Sequence, residues 1–353
     1  MEQVRLGHGE AEVPDSLRLS DHTTLRVGGA ARRMVVARSE AEIVETVRDC
    51  DAAGEPLLVL SGGSNLVVSD DGFDGTVLRI ATRGIKADVS SCGGALVRVA
   101  AGEVWDEVVA ESVSQGWVGL ETLSGIPGLA GATPIQNVGA YGSEVSQTIA
   151  SVRTFDRESG GFATFPLAEC GFGYRTSRFK QNPGRYVVIE VTFQFPLGDL
   201  SAPVTYRELA EHLGVGLKQR APSKRVREAV LDIRAAKGMV LDPEDHDTWS
   251  AGSFFTNPIL DAEAPLPEDA PRYPAGEGRV KTSAAWLIEQ AGFSKGYLRG
   301  SAGLSTKHVL ALTNRGDARA RDIVALAREV RDGVAGRFGV TLVPEPVLVG
   351  VEL

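Results

Sequence analysis

Between Thr122 and Glu144 the chain reads Thr-Leu-Ser-Gly-Ile-Pro-Gly-Leu-Ala-Gly-Ala-Thr-Pro-Ile-Gln-Asn-Val-Gly-Ala-Tyr-Gly-Ser-Glu. Such a stretch offers almost no side chain to pack, so it brings backbone close to something else. Its glycines permit positive φ and leave successive N–H groups free to converge on one concave site, an arrangement that binds anions such as phosphate. A second stretch of the same character, Leu-Ser-Gly-Gly-Ser-Asn-Leu, runs from Leu60 to Leu66. Two such loops could clasp one elongated, phosphate-bearing ligand. The alternative, a pair of ordinary surface turns, is disfavoured by finding two long loops of this composition in one chain. Neither is a dinucleotide fingerprint opening a helix or a glycine loop ending in Gly-Lys-Ser/Thr, so a dinucleotide bound here would sit on a fold other than the Rossmann type.

With 353 residues the chain exceeds one ordinary core, and two or three domains are expected. A net charge of −9 without a lysine or arginine run argues against a nucleic-acid or membrane-surface role. No apolar run is long enough to span a bilayer, and the stretch from Met1 to His8 lacks the apolar core of a signal peptide; a cytoplasmic protein is expected. Cys50, Cys92 and Cys170 are widely spaced and form no C-x-x-C pair, which suggests buried thiols and neither a disulfide framework nor a zinc site. The histidines His8, His22, His212, His246 and His308 show no metal-ligand spacing, and no bound metal is expected.

Leu25 to Val36 reads as a glycine turn entering a short strand. Ser39 and Glu42 form a capping-box pattern for a helix with Ile43, Val44, Val47 and Cys50 on one stripe and Gly54 as its stop. Pro56 to Leu60 follows as a buried strand leading into the first glycine loop. Thr76 to Ile80, Ala95 to Ala100, Ser151 to Phe155, Gly161 to Phe165 and Tyr186 to Phe195 have strand patterns, and Trp105, Val108, Val109 and Val113 recur at helical spacing before Gly116. Around Pro196 to Pro203 the pattern dissolves into turn residues, which suggests a domain boundary. Beyond it, Ser223 is placed to cap a helix carrying Val226, Val230 and Ile233, with Lys237 in its last turn and Gly238 closing it. The acidic, proline-rich interval 261–278 reads as an exposed loop. Thr282 or Ser283 starts a helix with Trp286, Leu287 and Ala291, and Asp317 precedes a longer one with Ile323, Ala327, Val330 and Val334 aligned. Val340 to Val351 is strand-like.

Three local groupings could carry chemistry. Arg175 lies among glycine and aromatic residues, where it could hold a carboxylate bidentately or form a surface salt bridge. Ser253, between Gly252 and two phenylalanines, could pass a proton in a dry site, or simply cap a turn. Glu345 is pinned between Pro344 and Pro346; burial there would keep it protonated as a hydrogen-bond donor, and the alternative is an edge-strand gatekeeper charge.

Taken together, Ser61 to Leu66, Ser124 to Gly128 continuing through Gln136 to Gly142, Gly173 to Lys180, Ala251 to Pro258 and Pro344-Glu345 resemble the UDP-N-acetylenolpyruvoylglucosamine reductases, flavoenzymes of bacterial peptidoglycan synthesis. The resemblance runs through nearly the whole chain in the family's order. It implies an α+β fold: an FAD-binding domain of the vanillyl-alcohol-oxidase type over 1–200, made of subdomains at about 20–85 and 86–200, then a smaller α+β substrate domain over 201–353 whose C-terminal strand returns to the active site. It implies FAD contacts from Gly62, Gly63, Ser64, Asn65, Leu66, Ser124, Gly125, Ile126, Pro127, Gly128, Ala132, Gln136, Asn137 and Gly139. Arg175, Ser253 and Glu345 match the family's catalytic residues, Ser253 as proton donor and Glu345 as essential acid. Tyr174 matches the tyrosine of the Tyr-Arg pair. Tyr206, in Pro203 to Tyr206, matches the tyrosine with which one subgroup closes over the substrate diphosphate. Lys237, Asn257 and Gln290 fall on positions used near substrate or nicotinamide. Thr256 departs from relatives that carry lysine there, which bears on a phosphate or cofactor contact.

The implied reaction is NADPH-dependent reduction of UDP-N-acetylglucosamine enolpyruvate to UDP-N-acetylmuramate through FAD; a monomer is expected, and, from the charge, no nucleic-acid or membrane partner. Two rivals predict different behaviour. A flavin oxidase on the same scaffold would react rapidly with oxygen and need neither Ser253 nor Glu345. A nucleotide-sugar binding protein without redox chemistry would purify without yellow colour.

Overall fold

Ser39 opens the first helix as its capping pattern predicts: its hydroxyl accepts from the Glu42 amide, and the Glu42 carboxylate accepts from the Ser39 amide at 3.0 Å. The helix, Glu40–Ala53, stops at Gly54, whose φ of 64° a side chain would resist. This computed structural model describes residues 16–353; His8 and the rest of the stretch 1–8 lie outside them. The described chain forms two compact units, one from 32–62 and 74–235, the other from 16–31, 63–73 and 236–353.

In the first unit Ile43, Val47 and Cys50 of that helix are buried, Ile43 and Val47 in one core with Leu78 and Ile80. The sheet beneath has strand order Ala31–Ala37, Phe73–Ile80, Leu57–Leu60. The last two run parallel with Leu60 opposite Arg79, so their carboxyl ends share one edge. Alternation along Phe73–Ile80 sends Leu78 and Ile80 to the core side and Arg79 to the other.

A five-stranded antiparallel sheet follows, in the order Gly161–Pro166, Ile149–Asp156, Tyr186–Phe195, Gly94–Ala100, Ile85–Ser90. On one face Val97 pairs with Phe193, Val99 with Val191 and Val152 with Val191, all of them buried. The helix Trp105–Ser114 covers this core. Trp105 lies 6.0 Å from Phe193, ring centre to ring centre, and its indole N–H donates to the Leu123 carbonyl at 3.2 Å. Burying an aromatic ring of this size contributes about 1.5–3 kcal/mol, and here it also fixes where the long glycine stretch begins.

Two further helices, Arg207–Leu213 and Ser223–Ala236, close the unit by packing Leu209 and Leu213 against Val226, Val230 and Ile233. Ser223 is not the cap its sequence suggests. The Pro222 carbonyl accepts the Val226 amide, so proline holds the cap position and Ser223 is the first helical residue. Lys237 accordingly falls one residue beyond the helix.

The second unit is built on an antiparallel sheet ordered Ser250–Ser253, Ala311–Asn314, Ala302–Leu304, Leu298–Arg299. Helix Ala284–Gln290, capped by Ser283, and helix Ala320–Phe338 supply Leu287, Ile288, Ile323, Ala327, Val330 and Val334 to its core. The longer helix starts behind Arg319, and Asp70 accepts from the amides of Ala320 and Arg321 at 2.8 and 3.2 Å, satisfying donors its first turn leaves open. The 261–278 interval is more ordered than its composition suggests: Tyr273–Pro274 pairs with Arg279–Lys281, which also pairs with Ile259–Asp261. The strand-like end of the chain contracts to Val347–Val349, because Pro344 and Pro346 cannot donate to a ladder; it runs parallel to Leu66–Val68.

Cys50 and Cys170 are buried and burial pushes the Cys170 thiol up to about 11, whereas Cys92 is exposed in the turn between two strands, against the expectation of three buried thiols.

Candidate active site

The two glycine loops meet backbone to backbone in the first unit. A Cβ added to Gly62 would lie 2.4 Å from the Gly128 Cα, so the approach exists only because both residues lack side chains. Gly125 and Gly128 adopt φ of 70° and 122°. The Gly125 amide donates to Asp106 at 2.6 Å, and the Gly128 carbonyl accepts the Trp105 amide at 3.0 Å, so both ends of Ser124 to Gly128 are tied to one helix N-terminus. Asp106 also takes Arg227 bidentately at 2.6 and 2.7 Å. Burial alone would raise the Asp106 carboxyl; Arg227, the Gly125 amide and Arg234 outweigh it and hold the group below the usual carboxylate range.

Polar atoms of three side chains beside these loops are shielded from water and have no hydrogen-bond partner among the described residues: Ser61 Oγ, Thr122 Oγ1, and Arg79 Nε and Nη1. A side-chain-free cradle flanked by unsatisfied donors fits an extended, acceptor-rich ligand such as FAD. Ala132 lies in a buried turn of helix, Ala130–Ala132, behind the loop. Asn137, at φ 47°, spends its side chain inside the protein: its amide donates to Glu144 and to the Gly173 carbonyl, and its oxygen accepts from the Ser146 amide.

Those bonds carry the loop to Arg175. Gly173 and Thr176 exchange backbone hydrogen bonds at 3.1 and 3.3 Å, leaving Tyr174 and Arg175 at the tip of a tight turn. Arg175 has φ 53°, a left-handed conformation unusual for a side-chain-bearing residue and typical of sites where the surroundings over-determine the backbone. Its Nη2 donates to the Gly139 carbonyl at 2.7 Å, and its own carbonyl accepts Lys180 Nζ at 3.1 Å. Ser177 caps the next short helix and donates to Ile135. The guanidinium is thereby held against the second glycine loop, where Gly139 leaves room: a Cβ there would lie 3.0 Å from Arg175 Nη1.

Tyr206 projects from the N-terminus of its helix, 41% exposed, edge-on to Tyr141 with ring centres 5.4 Å apart. Burial pushes the Tyr141 hydroxyl up to about 12, with Arg234, which hydrogen-bonds to it, pulling the other way. The first unit thus gathers Tyr174, Arg175, Tyr206 and the second glycine loop, together with Asp106, Tyr141, Arg227 and Arg234, which the sequence did not single out.

In the second unit the remaining chemistry converges on one short segment. Ser253 ends its strand just after Gly252, whose φ of 74° accompanies a register shift opposite Ala311 and Thr313; such a bulge re-aims the following side chain. Phe254 and Phe255 are fully buried and pin the segment beyond it. The Glu345 amide donates to the Phe254 carbonyl at 2.8 Å, and the Thr256 amide donates to Val343 at 3.0 Å. Asn65 completes the join: its Nδ2 donates to the Glu345 carbonyl at 3.3 Å and its carbonyl accepts the Val347 amide at 2.9 Å. Ser253, Glu345, Thr256 and the Ser64 to Leu66 part of the first glycine loop are therefore neighbours, and Glu345 is half-buried. Asn257 accepts the Ala284 amide at 2.9 Å, which holds the start of the helix that ends in the exposed Gln290. Lys237 is half-buried where the chain enters this unit. No cluster of three or more potential metal ligands occurs among the described residues, and no helix among them is long and apolar enough to cross a membrane.

Comparison with known proteins meets this geometry at both ends. Residues 31–164 match the family model of an FAD binding domain, and 242–349 match that of the UDP-N-acetylenolpyruvoylglucosamine reductase C-terminal domain. The reductase of that name from Cutibacterium acnes is 59% identical, covering 98% of this chain and 91% of its own. That of Mycobacterium avium is 51% identical, covering 97% of both chains. The crystal structure of UDP-N-acetylenolpyruvylglucosamine reductase from Thermus caldophilus superposes with a TM-score of 0.63 at 26% identity over 99% of each chain. End-to-end identity above half with such relatives, on a fold that carries an FAD-binding domain ahead of the reductase C-terminal domain, settles the assignment: the chain belongs to the UDP-N-acetylenolpyruvoylglucosamine reductase family.

Proposed function

We propose that this protein is the NADPH- and FAD-dependent reductase that converts UDP-N-acetylglucosamine enolpyruvate to UDP-N-acetylmuramate in peptidoglycan precursor synthesis. Its family membership supports this, and the observation that carries the chemistry is the hydrogen bond setting Glu345 beside the segment that begins at Ser253. FAD held there would supply two-electron hydride chemistry between NADPH and the enol ether.

The protein's own residues do the rest. Gly62 to Leu66 and Ser124 to Gly139 hold the cofactor, chiefly through backbone amides. When hydride reaches the substrate β-carbon, negative charge develops on its carboxylate, and a fixed cation with a hydrogen-bond-donating acid stabilises it. Arg175, already immobilised at the Gly139 carbonyl, and Glu345 take these roles. Ser253 then delivers a proton to the α-carbon. Tyr174, Tyr206, Lys237, Asn257 and Gln290 position the nucleotide-sugar and the nicotinamide. In this scheme residues 1–200 carry the flavin, and 201–353 supply the serine, the acid and most substrate contacts. A cytoplasmic monomer completes the proposal; sedimentation at micromolar concentration tests the oligomeric state.

The test is the anaerobic visible spectrum of the purified protein. NADPH should bleach the flavin bands and the enol ether should restore them. Bleaching without recovery would overturn the reductase in favour of an oxidase on the same scaffold.

A further inference from the structure

We infer that Arg79 is a cofactor-holding residue, its guanidinium binding a diphosphate oxygen of FAD beside the first glycine loop. This rests on the flavoenzyme assignment and adds a residue that the glycine motifs do not contain.

Position comes first. Arg79 is the penultimate residue of its strand and stands opposite Leu60, which leads directly into Ser61 and Gly62. Parallel strands place both carboxyl ends on one edge, the usual location of ligands on such sheets. Leu78 and Ile80 face the core, so Arg79 faces away from it, on the side of Leu60.

Its state comes second. Nε and Nη1 are cut off from water and have no partner among the described residues. Removing a charge from water without a counter-ion is costly, and such groups are retained where an anion meets them. Glu103, the buried acid nearest in sequence beyond the strand, is already engaged by Arg83 and by the Gly84 amide. Burial, with Arg83 adding repulsion, lowers the guanidinium's affinity for its proton, which an anion would reverse. Of the parts of oxidised FAD, adenine, ribose, ribityl chain and isoalloxazine are neutral; the diphosphate alone carries negative charge. The adjoining Gly62–Gly128 approach, open to backbone amides, suits the same group.

The experiment compares wild type with Arg79→Met and Arg79→Lys after removal of flavin, reading affinity for FAD and for phosphate-free riboflavin by quenching of flavin fluorescence, and the melting temperature of each apoprotein. Arg79→Met should lose about tenfold to a hundredfold in FAD affinity, as for a hydrogen bond to a charged group, with riboflavin affinity unchanged and the apoprotein melting at the same or a higher temperature. Arg79→Lys should recover part of the loss. FAD affinity within twofold of wild type would overturn the proposal, as would equal weakening of both flavins or a lower apoprotein melting temperature, which marks a structural role. Wild-type protein that binds no FAD would instead overturn the flavoenzyme assignment itself.

Discussion

The Glu345 amide donates to the Phe254 carbonyl at 2.8 Å, joining residues separated by most of the second unit. The bond uses only backbone, so it fixes the two main chains without drawing on the Glu345 carboxyl. Fully buried Phe254 and Phe255 on one side and Pro344 and Pro346 on the other leave the segment little freedom to drift.

Ser253→Ala should therefore separate the half-reactions. NADPH should still bleach the flavin at close to the wild-type rate, whereas reoxidation by the enol ether should fall by about 10²–10⁴-fold, the usual worth of a positioned proton donor. Stopped-flow absorbance reads both steps. Slow flavin reduction in this variant would remove Ser253 from the role of proton donor.

Glu345→Gln tests whether the acid acts through its side chain. The backbone bonds of Glu345 to Phe254 and Asn65 persist in this variant, and the melting temperature should stay within a few degrees of wild type. Turnover should drop by about 10²–10³-fold, as when one preorganised donor is lost. A variant that melts much earlier would show that the carboxyl is structural.

Gly62→Ala and Gly336→Ala make an opposed pair. The first places a Cβ 2.4 Å from the Gly128 Cα, a backbone atom with no way to yield, so the two loops must part and the purified protein should lose its flavin. At Gly336, inside the long helix, a Cβ meets nothing within 4 Å. That substitution should stabilise by about 0.4–1 kcal/mol by restricting the unfolded chain. Flavin content by absorbance and melting temperature separate the outcomes; full flavin retention in Gly62→Ala would contradict the close approach.

Local signals explain what was legible beforehand. Ser39, Glu42 and Gly54 act on neighbours three or four residues away, so their helix could be bounded from sequence. The glycine stretches announced a backbone-lined site because absent side chains are visible in any sequence. What was hidden depends on distant partners. Leu66–Val68 is too short to register as a strand until Val347–Val349 pairs with it. Asp106 reads as an ordinary first-turn acid; only the fold brings Gly125 and Arg227 to it. Arg79 is one polar residue inside a strand pattern, and the shielding of its Nε and Nη1 is a tertiary fact. Pro222 displaced Ser223 as a cap because its free carbonyl reached the Val226 amide, a competition that residue preference alone does not decide.

Asp106 gives the pH prediction. Its folded pKa lies below the unfolded value because Arg227 and the Gly125 amide, with Arg234, outweigh the opposing effect of burial. A depressed carboxyl contributes stability that is complete above the unfolded pKa of about 3.9 and is lost as pH falls through the lower folded value. At pH 7, Asp106→Asn should cost about 1.5–3 kcal/mol from the weakened charged hydrogen bonds, toward the lower end because the Asp106 side chain is 35% exposed. Denaturant unfolding of wild type and variant at pH 7 and near pH 3 gives the comparison, and the gap should narrow at the acid end. A gap that stays constant with pH would mean that the carboxylate's charge is not what clamps Gly125. Arg227→Met should reproduce the loss at pH 7, since it leaves the same carboxylate without its bidentate partner; an unchanged stability there would assign the clamp to the Gly125 amide alone.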